Sequence, residues 1–451
     1  MKTTMTKRVA AVSVALAATF ASGAVAKAES ATGGGASFPV QFLTPAIAEF
    51  NAARGHSLTY TSTGSGTGKR NFKSGTFKFA GTDSAVGTSD LPSFGWTYVP
   101  YVAGAIGIGY RLDELGGATL SLSNDSINGI FSGTITNWND SRIAADMRAN
   151  PTWTNTKKKS DIRGVTTLWQ NLTPTEAFVT VSMLPKTLRD QKGKSVQVVD
   201  DKTKKAVGTE VVGTDGEFNV RFKHSDTATY SVKVGGKTVA SFKKAKDVTL
   251  PDKPIQVVYR ADTSGTTNNF CQYMKGAINS LWTVNDAFAN CVPGGVAQFG
   301  SRFVGQPQSN NLSNYIASTN GSIGYTEVSY ITDPTRAAQG MRAAYVRNNA
   351  GIYVAPTAEN YNSHLSAATI DATGFVTFNW SAKARTAYPI GAITYMLCQT
   401  SRDAQNVVIG EFVQWMITEY GPKNAEALGY TPVLGKFQET SLTLAKKCGA
   451  S

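Results

Sequence analysis

The sequence predicts an α/β fold that is interrupted by one all-β block. Over most of the 451 residues, apolar strand-like runs alternate with helical patterns, which is typical of α/β domains. Between about residues 155 and 251 the chain changes to short alternating segments that Gly and Asp-Gly turns separate. The predicted strands of this block are Ala177–Met183, Ser195–Asp200, Thr209–Gly213, Phe218–Lys223, Thr229–Gly235 and Thr238–Phe242. That pattern is typical of a β-sandwich, so we expect an immunoglobulin-like insertion within an α/β protein.

The composition is that of an ordered globular protein. Hydrophobic residues make up 41% of the chain and charged residues 17%, which argues against disorder. The net charge is +13, and residues 155–250 hold 18 Lys/Arg against 10 Asp/Glu, a net +8. Because the basic character is regional, we predict no nucleic-acid partner. An anionic cell-surface partner for this block stays open as a hypothesis.

The first 28 residues predict an export signal. A charged start precedes an apolar segment over residues 9–20 that is too short to span a bilayer. Small residues place the cleavage site after Ala26 or Ala28. The first cysteine is Cys271, which excludes lipid attachment at a cleavage-site cysteine. We therefore expect an exported protein that is periplasmic, secreted or held at the cell surface, without a lipid anchor.

Four cysteines fit an oxidising compartment. They allow three pairings, of which we favour Cys271–Cys291 and Cys398–Cys448. The first pair would close a loop of about twenty residues and contribute about 3 kcal/mol in the chain-entropy model. The chain has no CxxC or HxxxH pattern and only three histidines. We therefore predict no metal site, no cofactor and no histidine-based catalysis.

The first strand–loop–helix unit follows the export signal. Residues 31–38 (ATGGGASF) are rich in Gly, and Pro39 fits the first turn of a helix. Apolar residues then recur at helical spacing until about Gly55. Ser37 and Phe38 therefore lie at a helix N-terminus, where unpaired N–H groups and a partial positive charge favour an anion.

The second unit carries a Gly-rich loop at residues 64–69 (GSGTGK). The Walker pattern fails, because Thr63 stands where Gly is required and Arg70 where Ser or Thr is required. Such a loop at the start of a helix is still a good anion cradle, and it would present Ser65. The alternative is a plain turn. A short strand then delivers Asp83 to a loop.

Longer patterns complete the α/β part. Tyr98–Tyr110 and Tyr388–Cys398 are largely apolar and predict central strands. Thr267–Trp282 has a helical pattern. Ala404–Tyr420 predicts an amphipathic helix whose apolar rows indicate core and not a site.

The third unit joins a predicted buried strand, Ile255–Tyr259, to a hydroxyl-rich loop and a helix. The strand runs into Arg260, whose fork of donors matches a carboxylate or a phosphate. Asp262, two residues later, is placed to hold that fork. From this segment alone an ordinary interpretation stays open, with Thr263 or Ser264 as a plain N-cap and Arg260 in a surface ion pair.

Three such units in one exported chain without a catalytic histidine indicate a site for a small oxyanion held mainly by neutral dipoles. The motifs resemble those of Pst-type phosphate-binding proteins, the receptors of ABC phosphate importers. The strong matches are GGGASFP (Gly33–Pro39), TGSGTG (Thr63–Gly68) with AGTD (Ala80–Asp83), and RADTSGT (Arg260–Thr266). Weaker matches are INGIFSGTITNWND (Ile127–Asp140), GSIGYTE (Gly321–Glu327) and EYG (Glu419–Gly421).

The resemblance implies a two-lobed periplasmic-binding-protein fold of type II, monomeric, with phosphate enclosed between the lobes. Lobe I would comprise residues 29–105 and 390–451, and lobe II residues 106–154 and 252–389. Residues 155–251 have no counterpart in the family and would form the inserted immunoglobulin-like domain. The resemblance also implies an ABC permease as partner and no covalent chemistry.

Matched residue by residue, the resemblance implies a phosphate site. The implied ligands are Ser37, the backbone N–H of Phe38, Ser65, Asp83, Arg260, Ser264, Gly265 and Thr266, with Asp262 orienting Arg260. Asp83 would discriminate between anions. A carboxylate beside a dianion is unfavourable unless the ligand has a proton to donate. Hydrogen phosphate has one and sulfate has none, whereas arsenate shares the protonation of phosphate and stays open as a ligand.

Two other functions compete with a transport receptor. One is a surface or adhesive protein in which the phosphate fold and the basic block bind wall polymers or another partner. The other is a phosphate-ester hydrolase, which the lack of a G-x-S-x-G elbow and of a histidine near the loops disfavours.

Overall fold

A computed structural model describes residues 28–173 and 175–450 of the chain. The predicted export signal lies outside these residues except for Ala28. Among the helices that the structure describes, none combines the length and the apolar character needed to cross a membrane.

The described strands fall into an α/β part and a β-rich block. In chain order they are β1 (Ser30–Gly35), β2 (Ser57–Ser62), β3 (Phe79–Thr82), β4 (Trp96–Arg111), β5 (Ser121–Leu122), β6 (Trp153–Asn155), β7 (Val165–Thr173), β8 (Glu176–Met183), β9 (Ser195–Asp200), β10 (Ala206–Val211), β11 (Glu217–Lys223), β12 (Thr229–Val234), β13 (Lys237–Lys244), β14 (Gln256–Arg260), β15 (Phe303–Gln306), β16 (Ser322–Glu327), β17 (Arg342–Ala343), β18 (Tyr345–Arg347), β19 (Tyr353–Val354), β20 (Thr369–Ile370), β21 (Val376–Thr377), β22 (Gly391–Gln399) and β23 (Thr431–Pro432).

The described helices all belong to the α/β part except α5. They are α1 (Val40–Arg54), α2 (Ser65–Lys73), α3 (Asn124–Phe131), α4 (Ser141–Ala149), α5 (Pro185–Gln191), α6 (Gly265–Tyr273), α7 (Gln308–Ser318), α8 (Val328–Ile331), α9 (Pro334–Ala338), α10 (Ala358–Leu365), α11 (Ala404–Trp415), α12 (Gly421–Asn424) and α13 (Lys436–Ala445). Two π-helical segments, Met274–Ile278 and Met416–Tyr420, extend α6 and α11.

One ten-stranded sheet runs through both lobes in the order β15-β14-β16-β4-β22-β3-β1-β2, with β17 and β23 also paired to β4. The long strand β4 pairs with β22 over residues 96–105 and with β16 over residues 106–111. We call the parts built on the β22 side and on the β16 side lobe I and lobe II. This architecture confirms the predicted two-lobed α/β fold, whereas the residue limits predicted for the lobes stay predictions.

Parallel pairing sets up the helix starts on both sides of the sheet. In lobe I, β1 runs parallel to β2 and β3, and in lobe II, β14 runs parallel to β15 and β16. Because the carboxyl ends of parallel strands meet at one edge, the helices that follow start close together. This places the N-termini of α1, α2, α6 and α7 around one cleft.

The region from β6 to β13 forms two further sheets, β10-β9-β12-β13-β6 and β11-β8-β7. Its apolar side chains, among them Trp169, Val198 and Val232, make a hydrophobic cluster separate from that of the lobes. The alternating burial along β8, β11 and β12 explains why the sequence pattern indicated strands here. The immunoglobulin-like identity of the region stays a prediction.

The predicted secondary structure was wrong at one helix end and missed two strands. The predicted helix Thr267–Trp282 is too long, because the helical segment ends at Ile278 and Asn279 is extended (φ −149°). The Asn279 side chain accepts a hydrogen bond from the Leu281 N–H (3.0 Å), a local bond that competes with a helix. In the β-rich block the structure also has β6 and β7, which the alternating pattern did not reveal.

Both predicted disulfides are confirmed. Cys271 bonds to Cys291, which closes the segment after α6, and Cys398 bonds to Cys448, which fastens the C-terminal residues to β22. The described cysteines include no free thiol.

Candidate functional site

The candidate site lies where the loops of both lobes meet. All eight sequence-predicted ligand residues are buried, and the charged ones, Asp83 and Arg260, are 3% and 2% exposed. Four of the eight belong to lobe I and four to lobe II. The sequence therefore predicted a set that the structure brings to one interface.

In lobe I, tyrosine hydroxyls fix the loop between β1 and α1. Tyr330 donates to the carbonyl of Ser37 (3.0 Å), and Tyr430 donates to the carbonyl of Phe38 (2.6 Å). The Ser37 Oγ lies 2.9 Å from the Ser309 Oγ and accepts a hydrogen bond from the Ser309 N–H (3.1 Å). The loop that presents Ser37 is thus held by groups from lobe II as well as its own lobe.

Ser65 and Asp83 form the second part of the lobe I wall. The Ser65 hydroxyl donates to the Asp83 Oδ2 (3.4 Å) and accepts from the Asp83 N–H (3.3 Å). The other carboxyl oxygen, Oδ1, is buried and has no hydrogen-bond partner among the described residues. This acceptor is therefore free to pair with a ligand.

The surroundings of Asp83 favour its protonated form. Burial, and to a smaller extent the buried carboxylate of Glu327, raise the pKa of Asp83 to about 7. The nearby Thr394 hydroxyl, the charge of Arg260 and the Ser65 hydroxyl oppose the shift. A carboxyl with such a pKa exchanges its proton near neutral pH.

Arg260 is the cation of the site, and Asp262 fixes it. The guanidinium donates from Nε to the Asp262 Oδ1 (2.7 Å) and from NH2 to the Asp262 Oδ2 (2.6 Å). Its NH1 donates to the Ser309 Oγ (3.1 Å). Burial alone would raise the pKa of Asp262, but the hydrogen bonds and charge of Arg260 outweigh it and lower that pKa. The predicted role of Asp262 in orienting the fork agrees with this geometry.

The loop from Ser264 to Thr266 opens helix α6. Ser264 is its N-cap, with its hydroxyl accepting from the Thr267 N–H (3.2 Å). Ser264 is therefore an ordinary N-cap and also one of the predicted ligand residues. The Thr266 hydroxyl donates to the Glu327 Oε1 (2.7 Å), so Thr266 can offer an anion its backbone N–H, one of the first-turn donors that helices leave unpaired.

The two lobes touch directly around the site. The Gly66 N–H donates to the Thr263 carbonyl (3.1 Å), and the Asn269 amide donates to the Asp83 carbonyl (2.6 Å). A methyl group at Gly265 would lie only 2.7 Å from the Asp83 Cβ. Only glycine allows α6 to approach Asp83 this closely. The structure is therefore in a closed form.

Sequence reasoning missed two buried residues of the site, Ser309 and Glu327. Ser309 lies at the start of α7, in a fourth strand–loop–helix unit, and bonds both Ser37 and Arg260. Gln308, just before it, has a left-handed backbone (φ 59°), which is uncommon for a residue with a side chain. Pro307 followed by a polar run after an apolar strand was the signal available. Glu327 ends the weakly matched GSIGYTE motif.

The geometry suits a small oxyanion that carries a proton. A buried guanidinium, several hydroxyls and the N-terminal ends of four helices supply donors. One carboxyl oxygen supplies an acceptor. An unprotonated dianion would satisfy the donors but would face the Asp83 oxygen without a hydrogen bond.

Comparison with known proteins finds relatives that align with most of the chain. The family profile of the PBP superfamily domain matches residues 21–248 and 232–419. The "Phosphate-binding protein PstS" of Xylella fastidiosa (strain 9a5c) is 25% identical over 409 residues, which cover 89% of this chain and 81% of that protein. The "Phosphate-binding protein PstS 3" of Mycobacterium tuberculosis (strain ATCC 25618 / H37Rv) is 30% identical over 200 residues, 43% of this chain and 50% of that protein.

Solved structures show the same fold. The high-affinity periplasmic phosphate-binding protein PfluDING, bound with phosphate at pH 8.5, superposes with a TM-score of 0.55 at 18% identity and covers 91% of this chain and 92% of that one. The ancestral soluble variant of the Human Phosphate Binding Protein gives a TM-score of 0.55 at 18% identity, with 94% and 98% covered. Both likenesses extend over nearly the whole chain.

Proposed function

This chain belongs to the PBP superfamily, and we propose that it binds inorganic phosphate between its lobes for delivery to the ABC permease of a phosphate importer. One observation carries the proposal. Beside many donors, the site offers one buried carboxyl oxygen for which the described residues provide no hydrogen-bond partner, the Asp83 Oδ1, on a carboxyl whose pKa is raised to about 7. An acceptor in that position recognises an anion that still has a proton to give.

The proposed ligands divide by chemistry. Arg260 supplies the charge, with Asp262 holding its fork. The hydroxyls of Ser37, Ser65 and Ser264 supply directed donors, and the N–H groups of Phe38, Gly265 and Thr266 belong to loops at helix starts. Ser309 joins this set because it contacts Ser37 and Arg260. Preorganised donors of this kind bind anions without covalent chemistry.

Asp83 would give the site its selectivity. When the Asp83 carboxylate is unprotonated, it accepts the hydrogen of HPO₄²⁻ and repels sulfate, which has no hydrogen to donate near neutral pH. Sites that read a ligand hydrogen in this way discriminate by several powers of ten. Arsenate has the same protonation as phosphate, so Asp83 would not exclude it.

The proposal includes export and a receptor role. The predicted signal and the two disulfides fit an oxidising compartment outside the cytoplasm. Relatives named phosphate-binding protein PstS align over most of the chain. The comparisons give no support to the alternative of an adhesive surface protein.

Calorimetry with phosphate, sulfate and arsenate tests the proposal. We expect phosphate to bind with a dissociation constant in the micromolar range or below, on the order of −8 kcal/mol or stronger, and sulfate to bind far more weakly. A protein that gives neither heat nor a thermal shift with phosphate would contradict it. Turnover of a chromogenic phosphate ester, assayed in parallel, would instead indicate a hydrolase.

A further inference from the structure

A largely buried ion pair joins the two lobes beside the candidate site, with the side chains of Lys69 and Asp286 5% and 18% exposed. Lys69 lies on α2 of lobe I, and its Nζ is 2.8 Å from the Asp286 Oδ2. Asp286 belongs to lobe II, in the loop that follows α6. The same Nζ also donates to the Ser84 Oγ (3.0 Å) and to the carbonyl of Ala85 (2.9 Å). The ammonium group is therefore fully engaged at the interface.

Asp286 connects this ion pair to the loops of the site. Its Oδ2 also accepts from the Ser84 hydroxyl (3.1 Å), and Ser84 follows Asp83 in the chain. Its backbone carbonyl accepts from the Ser264 N–H (2.9 Å), and its Oδ1 accepts from the Asn268 amide (2.8 Å). One residue thus contacts the loop of Asp83, the loop of Ser264 and the helix α6.

Two covalent features fix the positions of these partners. Lys69 lies one turn after Ser65 on the same helix, so a movement of Lys69 moves the Ser65 hydroxyl. Asp286 lies within the loop that the Cys271–Cys291 disulfide closes, which restricts where its carboxylate can go. Neither Lys69 nor Asp286 contacts the hydroxyls and the guanidinium that would bind the anion.

We propose that Lys69 and Asp286 form a closure latch, a pair of positioning residues that hold the lobes together over bound anion and set how slowly it leaves. The proposal rests on the proposed phosphate function. The hydrogen bonds of Lys69 to Ser84 and Ala85, and of Asp286 from Ser84 and Asn268, compensate the cost of removing both charges from water, so the pair favours the closed form. A latch of this kind acts mainly on the dissociation rate, because its bonds must break before the anion can leave, and it also shifts the ligand-free protein toward the closed form.

Stopped-flow kinetics with phosphate tests the latch on the full-length mature protein. For Lys69→Met and for Asp286→Asn we expect the dissociation rate to rise at least tenfold, with the association rate changed less than threefold. The phosphate-to-sulfate affinity ratio stays unchanged, since the latch does not contact the anion. The double variant Lys69→Met/Asp286→Asn should release phosphate no faster than the faster of the two single variants, because both residues act through one ion pair. Lys73→Met, an exposed lysine on the same helix, is the matched control and leaves both rates unchanged.

Small-angle scattering of the ligand-free protein separates failure of the latch from failure of the phosphate function. We expect Lys69→Met to have a larger radius of gyration than wild type, and Lys73→Met to have the wild-type value. If wild type bound no phosphate, the proposed function would fail, while the scattering would still test the latch. Unchanged dissociation rates, or equal radii for wild type and Lys69→Met, would overturn the latch.

Discussion

The candidate site and the β-rich block handle charge in opposite ways. In the site, the Arg260–Asp262 pair is almost fully buried, with side chains 2% and 19% exposed. In the block, the Arg221–Glu176 pair has side chains 55% and 24% exposed. Buried charges interact strongly because water does not screen them, whereas exposed pairs contribute little. The block carries most of the net charge of the chain, yet in the proposed function the few buried charges of the cleft determine what the protein binds.

The two regions also differ in how the chain builds them. The site gathers residues from positions 37 to 327, on four strand–loop–helix units of both lobes and at the ends of β3 and β16. The block is one contiguous stretch with its own apolar cluster, and Asn171 ties it to lobe II through the Asn150 Oδ1 and the Pro151 carbonyl (both 2.8 Å). We therefore expect substitutions in the block to leave the cleft unaffected.

The largest effect is expected from the buried cation. Arg260→Ala should weaken phosphate binding more than tenfold, because the anion loses its charged partner and Asp262 is left as an unpaired buried carboxylate. Calorimetry measures the change. Arg189→Ala, an exposed arginine of the block, is the control and should bind like wild type. Equal phosphate affinities for Arg260→Ala and Arg189→Ala would contradict the proposal that the anion is bound by charge in the cleft and not in the block.

The next effect concerns selectivity. Asp83→Asn should lower the phosphate-to-sulfate affinity ratio at least tenfold, since an amide neither repels sulfate nor requires a proton from the ligand. The ratio is measured by competition at pH 8. Asp215→Asn, on the exposed surface of the block, should keep the wild-type ratio. If the ratio of Asp83→Asn also stayed constant, the proposed role of Asp83 would be wrong.

The pH dependence of selectivity follows from the same carboxyl. Because the pKa of Asp83 is raised to about 7, Asp83 is mostly protonated at pH 6 and mostly ionised at pH 8. A protonated carboxyl can donate to sulfate, so sulfate affinity should rise several-fold as the pH falls from 8 to 6. Titrations of wild type and Asp83→Asn at both values provide the check. A pH response of equal size in the variant would assign the effect to another group.

The smallest effect on binding is expected from the core of the block. Trp169→Ala should cost on the order of 3–5 kcal/mol of local stability, as large-to-small changes at buried aromatics do, because Trp169 stacks on Trp153 at 4.1 Å between ring centroids. Thermal unfolding with a probe of the block reports this loss. The phosphate affinity should stay within twofold of wild type. A greater loss of affinity would mean that the block supports the cleft after all.

The sequence predicted local features of the site well, and long-range ones poorly. Glycines, Pro39 and hydroxyl residues beside apolar runs are local signals, so the loops of Ser37, Ser65 and Ser264 could be placed from spacing alone. The Ser309 contact with Ser37 and the Lys69–Asp286 pair join residues more than 200 positions apart. No local pattern encodes such pairs, because they form only when the lobes meet.

The same contrast holds for the fold. Clear two-residue alternation predicted β8, β11 and β12. Strand β7 has a less regular burial pattern and β6 has only three residues, so both escaped detection. The end of the helical segment after α6 depends on one side-chain bond of Asn279, and periodicity alone cannot supply that bond.

The shared sheet also constrains the order in which this chain can fold. Strands β1 to β3 form a sheet with β22, some 300 residues later in the chain, and the Cys398–Cys448 bond lies near the C-terminus. Lobe I therefore cannot complete its core until nearly the whole chain is available, and contacts of such high sequence separation form slowly. The β-rich block, which is contiguous, has no such delay. A chain that crosses a membrane from its N-terminus would thus keep lobe I, with its half of the proposed ligand residues, unfolded until passage is almost finished.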